Sequence, residues 1–596
     1  LRSRTAVVMP IFNEDVNRVF AGLEASYCSL AATGQLAHFD FYVLSDSQDP
    51  DTWVEEELAW AETCRALQGF GRIFYRHRRN NIKRKSGNIA DFLRRWGRNY
   101  DYMVVFDADS VMTGETLVRL ARIMERSPRA GIVQPLPMMA NRESLLARVQ
   151  QFAGRVYGPM LGAGFHFWQL GEGFYWGHNA IIRVSAFIQH CGLFRLPGDP
   201  PLGGEILSHD FVEAALMARA GWEVWIAPDL GGSYEEVPPA LLDELTRDRR
   251  WCQGNLQHLR LLCAAGLRPG HRAMLFMGVM AYASALLWAV FLALSTVRVA
   301  AESLLPPIYF LPTPSLFPIW PQWHPERAIA LLSMTAVLLF LPKFLSLLLM
   351  VSTGKRKSLG GLAHLCASII LEILLSTLLA PIRMWFHSKF VLLTLMGRQI
   401  KWGPQRRHDG GTDWREAIQY HGVSTLFAAF WISLVWWVNP AFSWWLLPVP
   451  VALLFSIPVS VYSSRPTVGR ALRKLRLFLI PEELAPPEVI NRLEASLHQR
   501  RSRSPQNVGF TRALIDPEAR AVHVALLRDK AQRSAKTVAR NQELREKVLT
   551  EGHEQLSRSD KLRLLKDAGI LTAMRPEAGQ LNESKLVLQQ RLTELQ

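Results

Sequence analysis

Two apolar runs, Ala273–Val299 and Ala328–Val351, restrict the class of this chain more than any other feature. As helices, each is long enough to cross a hydrocarbon layer of about 30 Å. Gly361–Ile382 is a third such run. Gly422–Val438 and Ala441–Tyr462 form a closing pair, whose Trp436, Trp437, Trp444 and Trp445 suit an interfacial aromatic belt. The connection between the first two runs is rich in proline, from Pro306 to Pro325, and carries little positive charge, whereas Lys355-Arg356-Lys357 follows the second run. The positive-inside rule puts that cluster in the cytoplasm and the Pro-rich loop outside. Arg398, Lys401, Arg406 and Arg407 need the same side as the cluster, so either Arg383–Gly397 lies as an interfacial helix and the third run re-enters or, the favoured expectation, it returns as a short span. That makes about six crossings and leaves the C-terminus inside. Lys343 and Glu372 lie within the apolar runs, where a structural ion pair and a polar conduit are equally open readings.

Composition agrees with this division. The 596 residues are 49% hydrophobic, but charge-rich ends flank the apolar middle. Three parts are expected: residues 1–265 as a cytoplasmic α/β domain, 266–464 as the membrane part, and 465–596 as a basic helical tail. The net charge is +16. Its basic residues gather at membrane edges, which favours a lipid surface or an anionic substrate over nucleic acid. The tail opens with such a cluster, Arg470, Arg473, Lys474 and Arg476, and carries no recognisable chemistry. Six scattered cysteines lack any C-x-x-C spacing, which argues against a zinc site or a disulfide framework and suits a reducing compartment. Leu1 precedes a core strand directly, so further residues are expected upstream.

Within residues 1–265, strands and helices alternate as in a doubly wound α/β domain. Thr5–Phe12, Phe39–Leu44, Tyr102–Phe106, Ala130–Gln134 and Trp222–Ile226 read as strands. The run Tyr102–Phe106 is apolar without alternation, as in a strand buried on both faces, and it ends in Asp107-Ala108-Asp109. Carboxylates two apart share a side of an extended chain, at the strand end where such sheets bind ligands. Asp107 and Asp109 there suit a divalent cation such as Mg²⁺ or Mn²⁺. Asp46, at the end of the second strand, is placed to accept from a ribose hydroxyl or a base N–H. The basic loop Ile82–Asn88 enters a helix and is a ready anion site, with Lys85 near a phosphate. Gly171–Asn179 is aromatic and Gly-rich; its Trp176 and His178 suit a sugar-gripping surface, although aromatics in such a run more often belong to the core. Ser208-His209-Asp210 begins a helix with Ser208 as N-cap. On the helix Leu241–Gln257, Arg247, Arg250 and Trp251 fall at i, i+3 and i+4, two guanidiniums beside an indole that suit a diphosphate next to a sugar.

The order of these motifs, ending in Arg-x-x-Arg-Trp just before a span, resembles the processive family-2 glycosyltransferases, the group of cellulose and hyaluronan synthases. The resemblance runs from about Thr5 to Tyr462 and implies a GT-A-like nucleotide-sugar-binding domain. By position it implies that Asp46 contacts the nucleotide, Lys85 the diphosphate, and Asp107 and Asp109 the metal-bound UDP. Asp210 would be the general base, Arg250 would meet the diphosphate and Trp251 would line the acceptor sugar. His209 stands where the family has Glu, and Arg247 where it has Gln. The segment 398–416, with Arg406 and Arg407 as further substrate contacts, occupies the place of the gating loop without its usual letters. With these changes, the runs Arg247–Asn255 and Gly171–Asn179 look like the glucans biosynthesis glucosyltransferase H family. That likeness implies a processive, inverting glucosyltransferase that builds a β-1,2-linked glucan backbone from UDP-glucose at the inner membrane of a Gram-negative bacterium. It also implies two spans upstream of Leu1, an acyl carrier protein and a periplasmic glucan-modifying protein as partners. Another β-linked polysaccharide as product, or a transporter or scaffold that only senses nucleotide sugars, are the alternative readings.

Overall fold

The computed structural model describes residues 1–305, 324–398, 410–503, 509–527 and 535–573. The Pro-rich connection and the segment with Lys401, Arg406 and Arg407 lie outside the described residues. The chain forms two compact units that interleave along the sequence. The first holds Leu1–Val133, His178–Gln189 and Glu488 onward; the second holds Gln134–Gly177 and His190–Pro487.

In the first unit a sheet runs in the order Ile73–His77, Phe39–Ser45, Thr5–Ile11, Tyr102–Val105, Ala180–Arg183, Ala130–Pro135. The first four strands are mutually parallel, as a doubly wound domain requires. Ala180–Arg183 runs antiparallel to both neighbours and makes the sheet mixed. Tyr102–Val105 and Phe39–Ser45 are buried throughout, as their unbroken apolar runs demand. Three of these strand ends lead into capped helices. The Asp15, Asp49 and Thr113 side chains accept from the backbone N–H of Arg18, Thr52 and Thr116, which starts helices Val16–Ala32, Pro50–Leu67 and Gly114–Arg126. These caps fix where the loops at the strand ends stand.

The tail belongs to this same unit. Helices Glu488–Ser502, Gly509–Ile515, Pro517–Leu526, Ala535–Glu551, Arg558–Leu565 and Ala568–Ala573 follow one another there. The first packs on Val16–Ala32 and the next two on Pro50–Leu67. The Arg500 guanidinium donates to Glu24 and to Thr63 Oγ1, both at 2.9 Å, tying the tail to both helices.

The second unit is mainly helical. Among its described residues four helices are long and apolar enough to cross a membrane: Pro269–Leu304, Glu326–Ser352, Leu362–Leu395 and Trp414–Val438. Two expectations are corrected. The turn expected at Arg383 does not form, because Leu362–Leu395 is a single 34-residue helix. The charge that looked like a span boundary has a buried partner, Glu244, which accepts from Arg383 Nε at 2.7 Å. Ala441–Tyr462 is not one helix but three short ones, Pro440–Leu446, Pro448–Leu454 and Ser456–Ser463. Pro448 and Pro450 withhold backbone donors there, and the apolar run breaks.

Lys343 and Glu372 form an ion pair at 2.5 Å, and Glu372 also accepts from Tyr157 Oη at 2.8 Å and Ser376 Oγ at 2.6 Å. Removing one partner strands the other charge, at a cost of about 3–5 kcal/mol for a buried pair. Glu372→Leu is therefore expected to lower the thermal midpoint of the detergent-solubilised protein by several degrees, and Lys343→Met/Glu372→Leu to recover most of it. A double variant no more stable than the single one would show that the pair is not the source of the loss.

Candidate active site

In the first unit the central strand Tyr102–Val105 delivers the carboxylates. Phe106 N–H still bonds Val8 O at 2.8 Å, and the chain then turns, with Asp107 N–H donating to Ser110 Oγ at 2.8 Å. Asp107 and Asp109 are half-buried on either side of the buried Ala108, so the burial alternates as expected although the pair sits on a turn. Lys85 Nζ forms an ion pair with Asp107 Oδ1, and His178 Nδ1 lies 3.7 Å from Asp107 Oδ2. Arg18 donates to the backbone oxygen of Asp109 at 2.8 Å.

Local chemistry places each of these groups. The helix Arg84–Trp96 opens on two residues with left-handed backbone, its N-cap Lys83 and its first residue Arg84, so that Lys85, Ser86 and Gly87 complete its first turn. A Cβ on Gly87 would lie 2.0 Å from Ile82 O, which only glycine avoids. The Asn88 amide donates to Leu44 O at 2.8 Å and fastens this helix start to the end of strand Phe39–Ser45. His178 comes from the other side: Asn179 N–H donates to Val105 O at 2.6 Å, which draws the preceding residue to Asp107. Asp46 stands apart from that cluster, at the end of Phe39–Ser45 and separated from the central strand by Thr5–Ile11. Both its oxygens accept from Arg78 at 2.7 Å. Burial pushes its carboxyl up from the usual carboxylate range, against the pull of Arg78. Arg78 is a partner the sequence reading missed, since nothing distinguishes it from its basic neighbours.

In the second unit Phe174 and Tyr175 are buried, while Trp176 is half-buried, its N–H bonded to Gln134 Oε1 at 3.0 Å. Gly177 has φ +87°, and a Cβ there would come within 3.2 Å of Asp210 Oδ2. The Asp210 carboxylate thus rests against bare backbone, and glycine is needed both for the conformation and for the approach. Asp210 occupies the first turn of helix His209–Arg219, where the helix dipole favours a carboxylate. Ser208 takes the N-cap position without a side-chain cap bond. His209 turns to Glu213 on its own helix, 3.1 Å away.

Helix Leu241–Gln257 carries two adjoining faces. On one, the Arg247 guanidinium lies 4.3 Å over the Trp251 ring, and Trp251 remains 49% exposed, with Arg250 half-buried on the same helix. On the other, Glu244 and Asp248 are buried and accept from Arg383 and, at 3.0 Å, from His387. Glu244/Asp248 and Arg383/His387 are each spaced i, i+4, the signal that could have found this pairing.

A divalent metal fits the Asp107–Asp109 turn by the chemistry of its donors. Among the described residues no group of three or more His, Cys, Asp or Glu side chains could enclose a metal by itself. Mg²⁺-type ions, however, take one or two carboxylates and leave the remaining positions to phosphate and water. Lys85 pairs with Asp107 Oδ1, so a metal at the turn would share that carboxylate with the ammonium.

Residues 102–461 match the family described as "Glycosyl transferase family group 2", and residues 6–191 match "Glycosyl transferase family 2". A protein of Ralstonia nicotianae named "Glucans biosynthesis glucosyltransferase H" is 53% identical over 572 residues, 96% of this chain and 66% of that protein. Proteins of the same name from Pseudomonas fluorescens Pf-5 and Pseudomonas paraeruginosa are 54% and 52% identical, over 95% and 97% of this chain and 66% and 67% of theirs. The chain therefore spans about two thirds of the length of these relatives. With more than half of its residues inside the matched region, the chain belongs to glycosyl transferase family group 2.

Proposed function

We propose that this chain is the catalytic and membrane part of a processive, inverting glucosyltransferase that extends a β-1,2-linked glucan from UDP-glucose. The observation that carries the reading is the Asp107–Asp109 turn with Lys85 and His178 at its carboxylate, a preformed place for a diphosphate and its counter-cation at the end of a central strand. The name borne by relatives at 52–54% identity supports glucose as the sugar and a glucan as the product.

In this reading Asp46 holds the nucleoside half of the donor and Lys85 the diphosphate. Family 2 glycosyltransferases typically depend on a divalent metal. Asp107 and Asp109 would hold Mg²⁺ or Mn²⁺, which supplies positive charge for the diphosphate as it leaves. The Asp210 carboxylate takes the proton of the acceptor hydroxyl as its oxygen attacks the anomeric carbon. Attack opposite the leaving group turns an α-linked donor into a β-linked product. Arg250 and Arg247 stabilise the charge that develops on UDP, and Trp251 with Trp176 presents aromatic surface to sugar rings. Arg406 and Arg407 join the donor contacts. The four long apolar helices support a place in a membrane; that this is the inner membrane, with residues 1–265 and the tail in the cytoplasm, belongs to the same proposal. An acyl carrier protein and a periplasmic glucan-modifying protein complete the proposed partners.

Asp210→Asn keeps the shape of the side chain and removes the base. Glucan synthesis from labelled UDP-glucose is expected to fall about 100- to 10,000-fold while UDP binding is unchanged. Membranes of this variant that still incorporate glucose at the original rate would refute the assignment. Gly177→Ala puts a methyl where the carboxylate rests, and turnover is expected to drop about tenfold or more with little change in donor affinity, as misplaced catalytic groups do; equal turnover would dissociate Gly177 from Asp210. Chelation of divalent cations should abolish synthesis, and Mg²⁺ or Mn²⁺ should restore it in the unaltered chain but not in Asp109→Asn. Full activity after chelation would remove the metal from the reaction.

A further inference from the structure

A run of buried polar contacts within the first unit leads from the tail to the strand end that carries Asp46. His523, on Pro517–Leu526, has its side chain only 1% exposed, and its Nδ1 lies 2.5 Å from Oε2 of Glu57, which is equally enclosed. Its Nε2 lies 2.9 Å from the backbone oxygen of Leu565 on a later tail helix. Its Nε2 donates to that carbonyl, and its Nδ1 shares a proton with the Glu57 carboxyl. Burial works against a charge on either partner and raises the Glu57 carboxyl, while Glu57 holds the His523 pKa above the ordinary histidine range.

Glu57 passes the contact on. Its Oε1 accepts from Trp53 Nε1 at 2.8 Å, and the Trp53 ring lies flat on His77 with centroids 3.9 Å apart. His77, lowered to about 4 by burial, is neutral at physiological pH, and its Nε2 donates to the backbone oxygen of Ser47 at 2.8 Å. Ser47 Oγ donates to the buried Glu56 at 2.5 Å and accepts from Asn13 N–H at 2.8 Å. Asp46 is therefore bracketed by residues whose backbone and side chains are fixed from behind.

A second connection starts elsewhere on the tail. Phe510 N–H donates to Asp51 Oδ1 at 2.9 Å, and a Cβ on Gly509 would come within 2.1 Å of Asp51 O. The tail backbone thus lies directly on the start of helix Pro50–Leu67. The loop before that helix is in turn held by Asn13 Oδ1, which accepts from Gln48 and Asp49 N–H at 3.0 Å.

We propose that the C-terminal tail is a positioning element of the nucleotide site, with His523 acting through Glu57, Trp53 and His77 to hold Ser47 and Asp46 in place for the nucleoside part of the donor. This rests on the assignment of the nucleotide to these strand ends. An apolar contact would pack the tail at least as well as a buried ion pair, whose desolvation is costly; what the pair adds is a single defined arrangement.

The test uses the full chain in nanodiscs, with UDP affinity by calorimetry and steady-state kinetics on UDP-glucose. His523→Leu/Glu57→Leu removes the polar link while keeping bulk; Glu57→Gln/His523→Gln keeps hydrogen bonding without charge. The leucine pair is expected to raise KM for UDP-glucose and Kd for UDP about tenfold with kcat within about twofold, and the glutamine pair to recover most of that loss. If the leucine pair does not fold, the glutamine pair alone decides, with a two- to threefold rise in both constants expected. Folded variants with unchanged KM and Kd, whatever their thermal midpoint, overturn the inference and leave the functional reading standing. Failure of the unaltered chain to bind UDP overturns the nucleotide assignment and the inference with it.

Discussion

The first unit depends on the pairing of one four-residue strand. Tyr102–Val105 is buried on both faces, with the parallel strand Thr5–Ile11 on one side and the antiparallel strand Ala180–Arg183 on the other. An antiparallel neighbour begins where the central strand ends. Val105 stands opposite Ala180, so the residues just before Ala180 emerge beside the residues just after Val105. His178 reaches Asp107 for that reason, and no parallel strand could bring it there by so short a route. Slipping the register by one residue would exchange the two faces of the strand and carry Asp107 away from Lys85. The apolar side chains of the strand oppose such a slip, since each contributes about 1.5–3 kcal/mol when fully buried.

What could be read from the sequence follows from whether a residue's partner is near it in the chain. The central strand was legible because burial on both faces writes itself as an unbroken apolar run ending in two carboxylates. Helix Leu241–Gln257 was legible from its own periodicity. The strand Ile73–His77 was not, because its Arg76 is an internal charge that only the salt bridge to Asp91, at 3.4 Å, makes tolerable. Ala180–Arg183 was too short to separate from the aromatic run before it. Arg383 looked like the boundary between two spans because its carboxylate partner, Glu244, lies 139 residues earlier. The tail looked devoid of chemistry for the same reason: the carboxylate that explains His523 is 466 residues away. Among the candidate site residues, Lys85 and Asp107 meet as the motifs imply. The closeness of Asp210 to Gly177 could not be foreseen, because it depends on a left-handed backbone rather than on a residue type with chemistry of its own.

Helix Leu241–Gln257 shows electrostatics and hydrophobic burial fixing one exposed surface together. Trp251 exposes about half of its ring, although burying an indole is among the larger gains a side chain can offer. Burying the ring would need the helix to turn about its axis toward Leu379, Ile382 and Phe386, against which its own Leu241, Leu245, Cys252 and Leu256 already pack. Rotation by one residue, about 100°, would carry those four apolar side chains out of the cluster and drag Glu244 and Asp248 from Arg383 and His387. Two buried carboxylates without partners cost several kcal/mol each, which alone exceeds what the indole returns. The ion pairs and the apolar side chains of the hidden face therefore act together to hold the helix in the rotation that leaves Arg247 stacked on an open Trp251. Their contribution is geometric: they keep the indole surface open by making the rotation that would bury it worse.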